Sequence, residues 1–281
     1  MSVVAEIPAS VTPAPVAKHS SFYLAMRILP PEQREAMYAV YAFCRAVDDI
    51  ADDGGPCAAR LAMLDEWRAD IARLYDDGGP TELTHQLAGP LARFGFRQQD
   101  FLDVIDGMEM DVRREMRGPS WETFDLYCDR VASAVGRLSV KIFGVDEDAG
   151  ILLSHHLGRA LQMTNVLRDL DEDAELGRLY LPAEALANAG IEKKDIGTVL
   201  EHPGLGEACM AVADRAKRHF TEASAVMARC HKETVRSPRI MASVYRSLLD
   251  KLIARGWKAP RQRVRVSKLQ FVGAVVRHGI V

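Results

Sequence analysis

Two stretches of the sequence carry acids at helical spacing. In YAFCRAVDDIAD (residues 41–52), Tyr41, Arg45, Asp48 and Asp52 are separated by 4, 3 and 4 positions. In QMTNVLRDLDED (162–173), Gln162, Asn165, Asp169 and Asp173 are separated by 3, 4 and 4. Each residue of a helix advances about 100°, so each set falls on one narrow face. Carboxylates four residues apart repel each other unless a cation lies between them, and more strongly when buried. The neighbouring positions Ala42, Phe43, Val47, Ile50, Leu161, Val166, Leu167 and Leu170 are apolar, so neither segment reads as a solvated charge face. Two such stripes facing one another suit hard divalent ions. With no His or Cys on either stripe, oxygen-only ligation selects Mg2+, with Mn2+ as the alternative, over zinc. Mg2+ typically takes one or two protein carboxylates and leaves positions for phosphate oxygens, which makes a bridging diphosphate the natural partner. Of the acids in the second stretch, Asp171 points nearly opposite the stripe and is expected to be solvated or paired, and the least costly to replace.

The elements that must position these stripes are helices. From Pro31 onward apolar residues recur at helical spacing, strand alternation is nearly absent, and the breaks are turn chemistry such as DDGGP at 52–56 and again at 76–80. The pattern predicts helices over 31–53, 57–76, 81–94, 97–116, 120–143, 147–173, 203–234 and 237–256. The stretch 174–202 mixes Gly, Pro and short apolar runs, as a loop with a short helix does, and its place after the acids makes it a candidate lid. No linker composition divides the chain. The expectation is a flexible tail over 1–18 and one all-helical domain over 19–281.

Composition bounds the partners. The 281 residues, 48% of them hydrophobic, suffice for a sizeable core. A formal charge of -3 gives no global attraction to nucleic acid or anionic lipid. The five cysteines form no CxxC pair, which fits reduced thiols in the cytoplasm. The N-terminus does not read as a signal peptide, and no apolar run approaches the ~18 residues of a membrane span. His155 and His156 are adjacent, with no third ligand in their sequence surroundings, and are set aside as structural or partly exposed.

At these motifs the sequence resembles the squalene and phytoene synthase family, the head-to-head prenyl synthases. The likeness spans about residues 19–270 through HSSFYLAMRILP, YAFCRAVDDIAD, YCDRVASAVGRLS, QMTNVLRDLDEDAELGRLYLP and the basic RVRVSK, in family order. IDGMEMD and LRDLDEDAELGRLYLP are most similar to the bacterial members that make presqualene diphosphate for hopanoid biosynthesis. The resemblance implies an all-α isoprenoid-synthase bundle around a central cavity, with two Asp-rich helices facing each other. It implies that Asp48, Asp52, Asp169 and Asp173 bind Mg2+ ions holding the diphosphates of two farnesyl diphosphates, with Glu172 reaching a metal directly or through water. Arg45, Gln162 and Asn165 are then expected to hold diphosphate, with His19 and Ser21 near the first helix and Tyr245 and Arg265 near the end. Phe22 and Tyr41 are expected to border the substrate cavity, and the small residues of VASAVG (131–136) to leave room for a prenyl tail beside Tyr127. Tyr127 aligns with a family tyrosine placed near the cation or in proton removal; without the resemblance it reads as an ordinary core tyrosine.

The implied reaction ionises one farnesyl diphosphate, joins the allylic cation to the double bond of the other, and loses a proton to close a cyclopropane, without NADPH. Full squalene, dehydrosqualene or phytoene synthesis is the alternative. A non-catalytic assembly member of the same fold is the reading from another class, and it should show broken stripes, whereas both stripes here are complete. RQRVRVSK (261–268) reads either as a clamp for the second diphosphate or as a contact with lipid headgroups. A lipophilic product makes a peripheral contact with the inner membrane face, and a downstream squalene-forming oxidoreductase, compatible partners.

Overall fold

The computed structural model of the chain describes Met26 and residues 29–76, 78–192, 195–265 and 268–279. The tail expected at 1–18 lies outside these residues, as do His19, Ser21 and Phe22. In chain order the long helices are α1 (Pro31–Asp52), α2 (Cys57–Tyr75), α3 (His85–Phe94), α4 (Gln98–Val112), α5 (Trp121–Cys128), α6 (Ala134–Phe143) and α7 (Glu147–Arg168). The short helices α8 (Leu170–Glu175), α9 (Ala183–Asn188) and α10 (Ile196–Glu201) follow, then α11 (Leu205–Arg229), α12 (Arg236–Arg255) and α13 (Lys268–Gly279). Among the described residues no strand forms, and an isolated bridge pairs Arg117 with Leu179.

The departures from the sequence expectation are local and have causes. The helix expected over 120–143 is interrupted by a π-helical turn at Asp129–Ser133, against which Gly158 of α7 packs; a Cβ at Gly158 would come within 2.7 Å of Ser133 Cα. The helix expected over 147–173 breaks at Asp169, whose φ of -102° and ψ of 20° end α7. The carbonyl of Leu167, freed at that end, accepts from the indole Nε1 of Trp257 at 3.0 Å. Helix α13 was not expected; Ala274 packs it on Ile240, Met241 and Val244 of α12.

The segment after Asp173 is not the lid its composition suggested. Gly118 N–H donates to the Leu179 carbonyl at 2.7 Å, Leu179 N–H to Met116 at 2.9 Å, and Ala183 N–H to Pro119 at 2.7 Å. Leu179, Tyr180 and Leu181 are buried. Paired backbone and buried apolar side chains fasten this strip in place.

Two clusters of buried side chains build the interior. One joins α1–α4 with α6, around Phe43, Phe101 and Leu138; the other joins α5 and α7 with α9–α12, around Phe124, Leu167 and Phe220. Val131 and Phe143 pack against both clusters. Arginines lock the helices between them. Arg137 of α6 meets Asp100 at 2.5 Å and Asp103 at 2.6 Å on α4, and buried Arg159 of α7 meets Asp125 and Asp129 at 2.9 Å each. Buried cations need such partners, because an unpaired charge there is costly. The outcome fixes α6 against α4, and α7 against α5 and the π-helical turn. Helix α7 also lies along α11, which brings His219 to His155 and His156; the third ring absent from their sequence neighbourhood comes from a distant helix.

Candidate functional site

A cavity of about 420 Å³, within the range of small-molecule sites, opens where the two clusters meet. Its apolar wall comes from α1, α4, α6, α7 and α12, and includes Met37, Val104, Met108, Phe143, Leu161 and Met241. Val131, Ala132, Val135 and Gly136 line it too, as the small-residue motif predicted. Polar groups gather from α1 and α7: Tyr41, Arg45 and Asp48 from the first, Gln162 and Asn165 from the second, with Tyr245 from α12. Tyr127 also lines the cavity. Helical rotation explains the grouping on each helix, and packing of α1 and α7 around one space brings the two groups together.

Asp52 and Asp111 stand against Arg178, outside the cavity lining. Its Nη1 meets Asp52 at 2.7 Å, its Nη2 donates to the Ala51 carbonyl at 2.9 Å, and its Nε lies 3.6 Å from Asp111. Arg178 also lowers the pKa of Asp48 and of Asp173, so it acts on acids of both stripes. Partial burial and the neighbouring Asp52 push Asp48 up to about 6. Burial and the neighbouring Asp169 push Asp173 up to about 8, and among the described residues Asp173 makes no salt bridge.

The other acids are engaged. Asp48 meets Arg45 at 2.9 Å, and Asp169 meets Arg168, with Arg168 Nε donating at 2.7 Å. Arg263 lies 3.6 Å from Asp169 and 3.0 Å from Glu172. In the basic run, then, Arg263 reaches the acids, while Arg265 stays exposed and the structure does not bring its side chain to them. Asp171 is paired: Arg261 donates to it from Nε at 2.9 Å and from Nη2 at 2.5 Å. Arg261 also donates to the Leu200 and Trp257 carbonyls. Asp171→Asn is therefore expected to leave turnover essentially unchanged and to cost about 1–3 kcal/mol in a denaturant melt, since Asp171 is half exposed but the Arg261 side chain is buried and keeps only its carbonyl partners.

Three residues of the site were missed in the sequence. Asp111 is buried and accepts from the phenols of Tyr127 and Tyr180, each at 2.9 Å. The two rings stack with centres 4.9 Å apart. Burial pushes Asp111 up to about 6, against the opposing pull of Arg178 and the two phenols. Arg178 and Tyr180 belong to the fastened strip, where only GRLYLP marked them, and Asp111 sits in IDGMEMD with no periodic partner.

Which groups could hold a metal follows from the donors present. All are oxygens: the carboxylates of Asp48, Asp52, Asp169, Glu172 and Asp173, with Asn165 Oδ1, which is buried without a hydrogen-bond partner. An orphaned acceptor beside carboxylates displaced towards protonation marks a place short of positive charge. A hard divalent cation fits this set.

Residues 16–270 match the family model described as squalene/phytoene synthase. A presqualene diphosphate synthase of Sinorhizobium fredii is 50% identical over 277 residues, covering 99% of this chain and 99% of the relative. A presqualene diphosphate synthase of Rhodopseudomonas palustris is 53% identical over 266 residues, 95% of each chain. Among solved structures, a dehydrosqualene synthase crystallised with a ligand shares the fold, with a TM-score of 0.79 at 24% identity over 93% of this chain and 91% of that one.

Proposed function

Because the chain belongs to the squalene/phytoene synthase family, we propose that it is the prenyltransferase that joins two farnesyl diphosphates head to head into presqualene diphosphate, releasing diphosphate. The observation that carries the site assignment is the cavity itself: an apolar chamber with Arg45 and Asp48 on one helix and Gln162 and Asn165 on another. That chamber draws on residues from Met26 to Tyr245, which supports one catalytic unit running through 19–281.

In this reading Asp48, Asp52, Asp169 and Asp173, with Glu172 at the margin, hold Mg2+. Bound there, the metal would act as a Lewis acid and template for the departing diphosphate. Arg45, Gln162, Asn165 and Tyr245 orient the diphosphate oxygens, because guanidinium, amide and hydroxyl donors match them. Arg178 and Arg263 already stand between the acids and add positive charge where the leaving group develops negative charge. The apolar wall excludes water, which would otherwise capture the allylic cation. Tyr127 stands at that wall with Asp111 behind it; its oxygen can take the proton lost on ring closure as its own proton passes to Asp111.

No helix among the described residues is long and apolar enough to cross a membrane. Peripheral contact with a membrane face and handover to a squalene-forming oxidoreductase are parts of the proposal that rest on the lipophilicity of the product. Purified protein given farnesyl diphosphate and Mg2+ should form presqualene diphosphate equally with and without NADPH. Squalene appearing only when NADPH is added would replace this reading with squalene synthesis.

A further inference from the structure

Away from the cavity, α7 and α11 bring three imidazoles together. His155 and His156 stand on α7, and His219 on α11. Nδ1 of His156 and Nδ1 of His219 are 3.1 Å apart. The ring centres are separated by 4.7, 5.8 and 5.3 Å, and one nitrogen from each ring can be chosen so that all lie within 4.8 Å of one another.

The His156–His219 nitrogens are already at the spacing of two ligands on one ion, and a small rotation of the partly exposed rings closes the rest of the 4.8 Å that bounds the set. Imidazole nitrogens bind zinc at ~2.0–2.1 Å, which puts two nitrogens on a tetrahedral ion about 3.4 Å apart and their ring centres about 5 Å apart. Among the described residues no carboxylate hydrogen-bonds any of the three rings. The nearest guanidinium, Arg159, is engaged by Asp125 and Asp129. Burial, with Arg159 adding to it, lowers the pKa of all three rings and so favours the neutral form, which is the form that binds a metal. Each residue is only partly buried, so a fourth position faces solvent, where water or exposed Glu222, three residues on from His219, can complete the set.

We propose that His155, His156 and His219 form a second cation site, selective for a borderline first-row ion such as Zn2+ and separate in chemistry from the oxygen-lined site. Nitrogen ligands disfavour Mg2+ and favour zinc, nickel or copper, so the protein sorts cations by hardness between its two sites. An ion at the histidines ties α11 to α7 within two turns of Leu157, Gly158 and Leu161, which line the cavity. The site therefore braces the helix that carries Gln162 and Asn165.

Titration of the full chain with Co2+ in excess Mg2+ tests this. Co2+ in a four-coordinate nitrogen site absorbs visible light far more strongly than Co2+ in an octahedral oxygen site. A strong band that saturates at one equivalent, is displaced by Zn2+, persists in Asp48→Asn and is lost in His219→Gln and His156→Gln is the expected result. Zn2+ should also raise the melting temperature of the unaltered chain and not that of His219→Gln. Both variants are at partly exposed positions, and far-ultraviolet circular dichroism checks that they fold. Absence of the band in the unaltered chain, its persistence in both folded histidine variants, or its loss in Asp48→Asn would overturn the proposal.

Discussion

Asp173→Asn is expected to lower kcat/KM for farnesyl diphosphate by on the order of 10³-fold, the equivalent of several kcal/mol of lost leaving-group stabilisation. The same substitution is expected to raise the melting temperature of the metal-free protein at neutral pH. Both effects have one origin. Asp173 lies among Asp169, Asp111 and Glu172, with Arg178 the cation that opposes them, and burial and these neighbours lift its pKa from 3.8 to about 8. A carboxyl whose folded pKa lies above its unfolded one destabilises the fold as pH rises between the two values. The gain from Asn is therefore absent below about pH 4 and complete above about pH 8. Asp48→Asn and Asp169→Asn should lose turnover as well. Asp169→Asn should also weaken the fold, because it strips Arg168 of its carboxylate partner. Melts across pH with parallel initial rates check the set; an Asp173→Asn enzyme of ordinary activity in Mg2+ would sink the metal assignment.

Gly158→Ala should destabilise the protein by about 1–3 kcal/mol or more, the usual range for overpacking a tight interior. A Cβ there meets Ser133 Cα and N at 2.7 Å and the Ala132 carbonyl carbon at 2.9 Å, all backbone, so no side chain can swing aside. Relief requires α7 to move off the π-helical turn, and Ala132 and Gly158 both line the cavity. Activity should therefore fall along with stability. Gly206→Ala in α11 is the matched control, since its Cβ meets nothing within 4 Å. It should be neutral or stabilising by up to about 1 kcal/mol, as expected when Ala replaces Gly in a helix. Equal melting temperatures for the two variants would mean that close packing of α7 on the turn does not set the stability.

How much could be read in the chain alone depended on the range over which each signal acts. The stripes of α1 and α7 were legible because helical rotation relates residues three or four apart, and Arg45, Asp48, Gln162 and Asn165 do meet at one cavity. Asp171 was correctly separated from its neighbours by the same rotation, although its partner, Arg261, lies 90 positions away. The strip around Arg178 was misread as a lid because Gly and Pro signal backbone turns, not the hydrogen bonds that then fasten them.

Local spacing thus determined which residues share a face, that the elements are helices, and that carboxylates crowd two stretches of them. Tertiary structure alone decided which faces meet. It set Arg178 between Asp52 and Asp111, placed Asp111 behind Tyr127, chose Arg263 over Arg265 for the acids, and carried His219 to His155 and His156. Each of these contacts joins residues on different helices or segments, so no periodicity along the chain can encode it. It is fixed by the burial of apolar faces and by the arginines that must be paired as those faces close.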